Sequence, residues 1–174
     1  MTDAPVAYFK GEFVPASEAN VNIQTKALNY GIGCFEGIRV YYDEADGTLR
    51  VFRAEDHYRR LLDSCRILQL TMELSVEEMI EITDELLRRN RCQCDAYVRP
   101  IVYSDSYSLS PIVTQAEENS FAMYILKMRD YLDTKKGITA CVSSWRRVAD
   151  NMIPARAKPT GVYLNSALAR YEAK

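Results

Sequence analysis

Histidine and tryptophan are almost absent from this 174-residue chain, which contains one of each. The single histidine, His57, cannot build a metal cluster or serve several proton transfers, and we do not expect it to be catalytic. The sequence also lacks a glycine-rich phosphate loop of the P-loop or Rossmann kind. Chemistry that needs little histidine and no metal therefore remains open, and an organic cofactor could supply it.

Cysteine occurs five times, an odd number, and no pair has the C-x-x-C spacing. Neither a disulfide framework nor a zinc site is predicted, and a reducing compartment fits this pattern. The N-terminal stretch has no basic region followed by a long apolar core, as a signal peptide would. No apolar run approaches the length of a membrane span, so we expect a cytoplasmic protein.

Charge is balanced, with 22 Lys and Arg against 24 Asp and Glu and a net charge of -2. This balance gives no electrostatic reason to expect binding to nucleic acid or to an anionic membrane. We therefore expect the partners to be small molecules or other protein chains.

Short apolar runs separated by turns predict a sheet. Residues 6–15 have apolar residues on both sides of Lys10-Gly11, and residues 34–42 and 49–53 flank a turn at Asp46-Gly47. Residues 96–104 and 120–128 are also typical of strands, and the polar segment between them predicts a long loop.

Helical periodicity begins at Asp56, with one apolar stripe formed by Tyr58, Leu61, Leu62, Cys65 and Leu68. A second helix begins at Ser75, which can cap free amides while Glu78, three residues on, reaches back. Its apolar positions predict a buried face.

The domain organisation is predicted from the charged, aperiodic stretch near residue 130. We expect a first domain at 1–128, a linker at 129–136, and the beginning of a second domain at 137–174, opening with a strand at 138–145. This last part is too short to bury a core of its own. Either it completes the first domain, or the chain stops short of its natural length.

Lys158 is the first candidate for chemistry. A lysine held near the wall of an active site can form a Schiff base with an aldehyde cofactor once its amine is deprotonated. A solvated lysine in a loop is the plainer alternative, and its spacing from Pro159 and Gly161 does not decide between them. Arg60, opposite the apolar stripe of its helix, is either solvated or able to bind a phosphate if another domain covers that face.

Tyr30, Phe35, Tyr97 and Arg99 form an aromatic and basic set on predicted strands or at their ends. Such aromatic residues usually pack in the core or in cross-strand pairs. Three glycines crowd the same region, which favours close backbone approach or a bulge beside a ligand.

Five segments occur in a characteristic order along the chain: ALNYGIGCFEGIRVY, HYRRLLDSCRIL, AYVRPIVYSD, VSSWRRV and IPARAKPTGVYLNSALA. Together they resemble the branched-chain amino acid aminotransferases, fold type IV enzymes that depend on pyridoxal 5'-phosphate. The resemblance runs from about residue 6 to the end. It implies an α+β or α/β fold, with a small N-terminal two-layer α/β domain and the truncated start of a large cofactor domain.

The resemblance also implies roles for individual residues. The lysine of the family's P-x-x-A-K-x-x-G pattern falls on Lys158, which would hold the cofactor as a Schiff base and move the substrate proton. The arginine of the H-x-x-R-L pattern falls on Arg60, which would bind the cofactor phosphate. Tyr163 would hydrogen-bond the phenolic oxygen of the cofactor.

Five further positions match the substrate side of the family's site. Phe35 and Tyr30 would form apolar walls, Tyr97 would help to place the α-carboxylate, and Arg99 would meet the second carboxylate of glutamate. Gly37 also matches a position on this side. Aromatic walls with a basic edge suit a pocket that alternates between leucine, isoleucine or valine and 2-oxoglutarate, giving glutamate and branched 2-oxo acids.

Two departures from the family leave alternatives open. The loop DSYSLSP lacks the glycine-rich stretch of many members, so an (R)-selective amine transaminase or a D-amino acid transaminase of the same fold is a second expectation. The family's large domain, which supplies an acid for the pyridine nitrogen, extends beyond this sequence. We therefore expect this chain to be inactive alone, and the complete enzyme to be a homo-oligomer, either a dimer or larger. The alternative is a non-catalytic fragment that pairs with a complementary C-terminal chain.

Overall fold

The computed structural model describes residues 4–114, 117–128 and 137–174. The predicted linker at 129–136 lies outside the described residues. Within these ranges the longest helices have 14 residues, and none has the length and apolar character needed to cross a bilayer.

The described residues form a sheet of seven strands, and all of the pairings between these strands are antiparallel. Their order is β2-β1-β7-β6-β4-β5, and β3 pairs with β6 in line with β4. The strands are β1 (Val6–Phe9), β2 (Glu12–Pro15), β3 (Gly33–Phe35), β4 (Ile38–Asp43), β5 (Thr48–Val51), β6 (Ala96–Ser104) and β7 (Asn119–Lys127). The strands predicted over the first 128 residues are confirmed, although the run at 34–42 is divided into two.

In the described ranges four helices accompany the sheet: α1 (Lys26–Tyr30), α2 (Ala54–Ile67), α3 (Val76–Arg89) and α4 (Tyr163–Glu172). The predicted capping box is confirmed, since Ser75 Oγ accepts from the Glu78 amide at 3.2 Å and the Glu78 carboxylate accepts from the Ser75 amide at 2.7 Å. The short helix α1 was not predicted. It is fixed by contacts remote in sequence, such as the bond from Thr25 Oγ1 to the Ser104 carbonyl at 2.6 Å.

Helices α2 and α3 pack on one face of the sheet, and the core lies between these two layers. The alternation of side chains along a strand determines which residues face the helices. The buried set includes Ile38, Val40, Ala96, Val98, Val102, Phe121 and Met123 from the sheet and Tyr58, Leu61, Cys65, Met79 and Leu86 from the helices. The predicted stripe of α2 thus supplies part of the core.

The division between β3 and β4 has a cause in the neighbouring strand. Glu36 and Gly37 lie between the two strands, and the Glu36 amide donates to the Pro100 carbonyl at 3.0 Å. Proline has no amide hydrogen, so the return bond of the ladder cannot form. The pairing of Phe35 with Ile101 and of Ile38 with Val98 keeps one register across this gap.

The strand predicted at 138–145 was wrong. These residues have no regular secondary structure, and the side chains of Ile138, Val142 and Trp145 are exposed. A strand requires a neighbour for its backbone hydrogen bonds, and no strand of the described residues lies beside this segment. The apolar alternation alone was therefore insufficient.

Replacing Leu61 by alanine tests the two-layer core, because this side chain is fully buried between α2 and the sheet. We expect a loss of about 2 to 5 kcal/mol in the free energy of unfolding, measured by urea denaturation. The matched control is Leu164→Ala on α4, where the leucine is exposed and the expected change is within about 0.5 kcal/mol. Equal losses in the two variants would contradict this packing.

Candidate functional site

The backbone around Lys158 is added to the sheet beside β3. The Phe35 amide donates to the Lys158 carbonyl at 3.2 Å, and the Thr160 amide donates to the Gly33 carbonyl at 2.9 Å. Since β6 pairs with the other edge of β3, this segment occupies the edge that would otherwise be free. It therefore positions the candidate lysine by hydrogen bonds between residues far apart in sequence.

Three further contacts hold the same segment. Thr160 Oγ1 donates to the Gly31 carbonyl at 2.8 Å, and the Lys158 amide donates to Ser64 Oγ on α2 at 3.2 Å. Gly31 has φ +67°, and a Cβ added to it would lie 2.8 Å from the Gly161 Cα. The two glycines thus permit a close approach of two backbones that a side chain at residue 31 would prevent.

The Lys158 amine lies beside the aromatic rings of Phe35 and Tyr163. Its Nζ donates to the Tyr163 hydroxyl at 2.7 Å and is 4.7 Å from the centroid of the Phe35 ring. The Phe35 and Tyr163 rings contact each other with centroids 4.9 Å apart. Because Tyr163 is the first residue of α4, the helix that follows the lysine segment also places the phenol beside the amine.

Arg99 and Tyr97 lie on the same face of the sheet as Phe35, because strand alternation directs them there. Arg99 Nη2 donates to the Tyr97 hydroxyl at 3.0 Å, and the guanidinium carbon is 4.2 Å from the Phe35 centroid. A Cβ at Gly37 would lie 1.7 Å from the Tyr97 hydroxyl oxygen. Glycine at residue 37 is therefore needed for this position of the tyrosine.

Arg99 also carries unused hydrogen-bonding capacity. Its Nε is buried and, within the described residues, has no hydrogen-bond partner. A half-buried guanidinium that forms no ion pair within the described residues favours an anionic partner. The arrangement can therefore bind a molecule that has both an apolar part, against Phe35, and a negative group.

Arg60 reaches the site from α2 and is bound to a buried carboxylate. Its Nε and Nη2 donate to the two oxygens of Glu36 at 2.5 and 2.7 Å. Burial alone would raise the pKa of Glu36, but hydrogen bonds from Arg60 and His57 outweigh it and lower that pKa below its ordinary value. The Arg60 pKa is raised, mainly by Glu36, with a smaller influence of Tyr163.

The structure brings six of the eight predicted residues together around Phe35, with Arg60 approaching from the helix side. Tyr30 is the exception, since its hydroxyl donates to the Leu109 carbonyl at 2.9 Å. No hydrogen bond or ring contact in the described ranges joins Tyr30 to the other predicted residues. Its assigned role as an apolar wall stays a prediction.

Sequence reasoning missed Glu36, Ser64 and Thr160. A signal for Glu36 existed, because alternation from Cys34 to Ile38 places this acid on the buried face of the strand. Its partners on α2 could not be read from that pattern. The hydroxyls of Ser64 and Thr160 gave no signal, since small polar residues are common in helices and loops.

Thiols and acids do not form a metal site in the described part of the chain, where no group of three suitable side chains could hold an ion. All five cysteines are free. The Cys34 and Cys65 sulfurs are 3.5 Å apart in the core, and this contact together with burial raises the pKa of the Cys34 thiol.

Comparison with known proteins gives a family. The sequence profile of "Amino-transferase class IV" matches residues 33–174. A probable branched-chain-amino-acid aminotransferase of Aquifex aeolicus is 45% identical over 168 residues, which are 96% of this chain and 53% of the relative. The chain thus spans about half the length of the curated relatives that it matches.

Solved structures agree with this result. The branched-chain aminotransferase of Thermoproteus uzoniensis with norvaline has a TM-score of 0.91 and 39% identity, covering 97% of this chain and 55% of that one. The branched-chain amino acid aminotransferase of Thermobaculum terrenum in its PLP form has a TM-score of 0.87 and 29% identity, covering 99% of this chain and 56% of that one. The predicted fold is confirmed.

The close contact of Gly31 with Gly161 can be tested with alanine. Gly47 is a matched control, because it also has a positive φ, +71°, while an added Cβ would meet nothing closer than 3.9 Å. We expect Gly47→Ala to cost about 1 to 2 kcal/mol in the free energy of unfolding, from backbone strain alone. Gly31→Ala should cost at least about 1 kcal/mol more, because the Lys158 segment must also move. Equal costs in urea denaturation would show that the contact is not made.

Proposed function

The chain belongs to the class IV amino-transferase family, and on that premise we propose that the whole protein containing it is a branched-chain amino acid aminotransferase dependent on pyridoxal 5'-phosphate. It exchanges the amino group between leucine, isoleucine or valine and 2-oxoglutarate. The observation that carries this proposal is the docking of the Lys158 segment on β3, which leaves Nζ 2.7 Å from the Tyr163 hydroxyl. The choice of substrates is supported by the branched-chain aminotransferases to which the chain is similar.

The residues present fit the cofactor. The site offers a primary amine for its aldehyde, a phenol beside that amine, and a guanidinium with a donor to spare. When bound, pyridoxal phosphate supplies the carbonyl that takes up the amino group and the ring that stabilises negative charge at the substrate Cα. Arg60 would bind the phosphate, and Tyr163 would hydrogen-bond the phenolic oxygen.

Lys158 is the catalytic residue of this proposal. Its Nζ would anchor the cofactor and, once displaced by the substrate amine, would transfer the proton from the substrate Cα to the cofactor carbon C4'. Tyr163 keeps the amine oriented through the 2.7 Å hydrogen bond. The Phe35 ring, 4.7 Å from Nζ, covers one side of the amine.

The substrate side combines an apolar wall with a cation. Phe35 would contact the branched side chain, with Tyr30 as a second wall, and the Tyr97 hydroxyl would orient the α-carboxylate. Arg99, whose buried Nε lacks a partner in the described ranges, would bind the second carboxylate of glutamate. Arg99 lies 4.2 Å from the Phe35 ring. The branched and the acidic side chains of the two substrates would therefore contact adjacent groups in one pocket.

The rest of the protein is part of the same proposal. Residues 1–128 form the small domain, 129–136 the linker, and 137–174 the beginning of the large domain, within a homo-oligomer of the cytoplasm. Exposed apolar side chains at Ile138, Val142 and Trp145 support a partner surface for this last part. Five free thiols are consistent with a reducing compartment.

Borohydride reduction of the whole protein, followed by peptide mapping, tests the function through Lys158. We expect a pyridoxyl adduct on Lys158 and transamination of leucine, isoleucine and valine. Lys158→Ala should lose the adduct and lower kcat by at least about 100-fold, because the proton-transfer group is removed. The control Lys127→Ala, at an exposed lysine of β7, should leave both unchanged.

Three outcomes would contradict the proposal in different ways. An adduct on another lysine would refute the role of Lys158. Conversion of only D-alanine or aromatic (R)-amines would refute the substrate class while keeping the cofactor. A protein that binds no cofactor and elutes with a complementary chain would indicate a non-catalytic fragment.

A further inference from the structure

Glu36 is a carboxylate that connects the proposed cofactor site with the helix layer. It lies between Phe35 and Gly37, yet its side chain points to the opposite face of the sheet, toward α2. It is fully buried, with a relative exposure of 0%. A buried carboxylate is costly unless it is paired and hydrogen-bonded, so the groups that compensate it are held in defined positions.

Four donors compensate this carboxylate. Arg60 contributes Nε at 2.5 Å and Nη2 at 2.7 Å, His57 Nδ1 lies at 2.9 Å, and the Gly37 amide donates at 3.2 Å. Two parallel bonds from one guanidinium fix the plane of that group as well as its distance. The low pKa of Glu36 agrees with a permanently ionised partner.

The bonds to Glu36 use one side of the Arg60 guanidinium. In the described part of the chain, Nη1 has no hydrogen-bond partner, and 54% of the arginine side chain is exposed. The donors opposite the carboxylate are therefore available to a ligand. A phosphate is a ligand that the two N–H groups of Nη1 can bind.

We propose that Glu36 is a positioning residue for the cofactor phosphate: it holds the Arg60 guanidinium from behind so that its free donors meet the phosphate. This inference rests on the proposed function, because Arg60 is assigned to the phosphate there. His57 supports Glu36 and has no direct part in the chemistry. Its Nδ1 also lies 3.4 Å from Arg60 Nη2, so the single histidine acts on the cofactor only through Glu36 and Arg60.

Because Glu36 is negatively charged, the inference can be tested by whether neutralising this residue strengthens or weakens phosphate binding. By charge alone, a carboxylate near a phosphate weakens its binding, and neutralising Glu36 would then strengthen it. If Glu36 acts by holding Arg60, neutralising it weakens phosphate binding instead. A purely structural role would affect ligands with and without a phosphate equally.

The experiment measures the dissociation constants of pyridoxal 5'-phosphate and of pyridoxal, which lacks the phosphate, by absorbance titration of the whole protein. For Glu36→Gln we expect the constant for pyridoxal phosphate to rise by roughly tenfold or more, since a charge-assisted pair is lost. The constant for pyridoxal should change by less than about twofold. In an Arg60→Ala background, Glu36→Gln should not change the ratio of the two constants further.

The matched control is Glu55→Gln on α2, the helix that also carries Arg60. Glu55 also accepts two bonds from one arginine, Arg59, at 3.1 and 2.5 Å, but this pair is exposed. We expect its ratio of constants to equal that of the wild type. If Glu36→Gln does not fold, Glu36→Asp keeps the charge and should still lose selectivity, because the shorter side chain cannot reach both donors.

Equal weakening of both ligands, or tighter binding of pyridoxal phosphate by Glu36→Gln, would overturn this inference while leaving the proposed function intact. A wild-type protein that binds neither ligand would overturn the proposed function and the inference together. A loss confined to the phosphate-bearing ligand, absent in the Arg60→Ala background, is the result expected from positioning.

Discussion

Two backbone hydrogen bonds between β3 and residues 158–160 determine where Lys158 lies. The partners are separated by more than a hundred residues, so the site exists only when the sheet has formed. The small residues at this contact, Gly31 and Gly161, allow the backbones to approach closely. With the backbone held, the first residue of α4 places the Tyr163 phenol at hydrogen-bond distance from the amine. The proposed chemistry depends on this docking, because an amine on an unattached loop would meet no defined partner.

Strands β3 and β4, which lie in line beside β6, direct side chains to both faces of the sheet. Phe35 and Gly37 face the proposed substrate side, while Cys34 and Glu36 face α2. Alternation along a strand gives this division directly. The interruption opposite Pro100 occurs where both functions meet, between the aromatic wall and the glycine that accommodates Tyr97. Three cationic groups, on Lys158, Arg60 and Arg99, lie around this point, and in the described part of the chain only Arg60 is bound to a buried carboxylate. The proposed ligands, a phosphate and carboxylates, are of the opposite charge.

Much of the sheet was predictable from the sequence, because its strands alternate and its turns carry glycine. The long helices were predictable from the apolar stripe of α2 and from Ser75, whose cap needs only local residues. The same reasoning failed for residues 138–145, because alternation does not reveal whether a neighbouring strand is present. The candidate site residues were predicted through resemblance, because spacing alone left the roles of Lys158 and Arg60 undecided. Glu36 and Ser64 were missed because their partners depend on how α2 packs against β3.

Amide hydrogen exchange at Phe35 and Thr160 tests the docking of the lysine segment most directly. Each of these amides has its hydrogen-bond acceptor on the other side of the contact. If the account is correct, both will exchange slowly, at rates similar to amides within the β6 and β7 ladder. Exchange of the Thr160 amide at the rate of an unstructured peptide, while the β6 and β7 ladder stays protected, would contradict it.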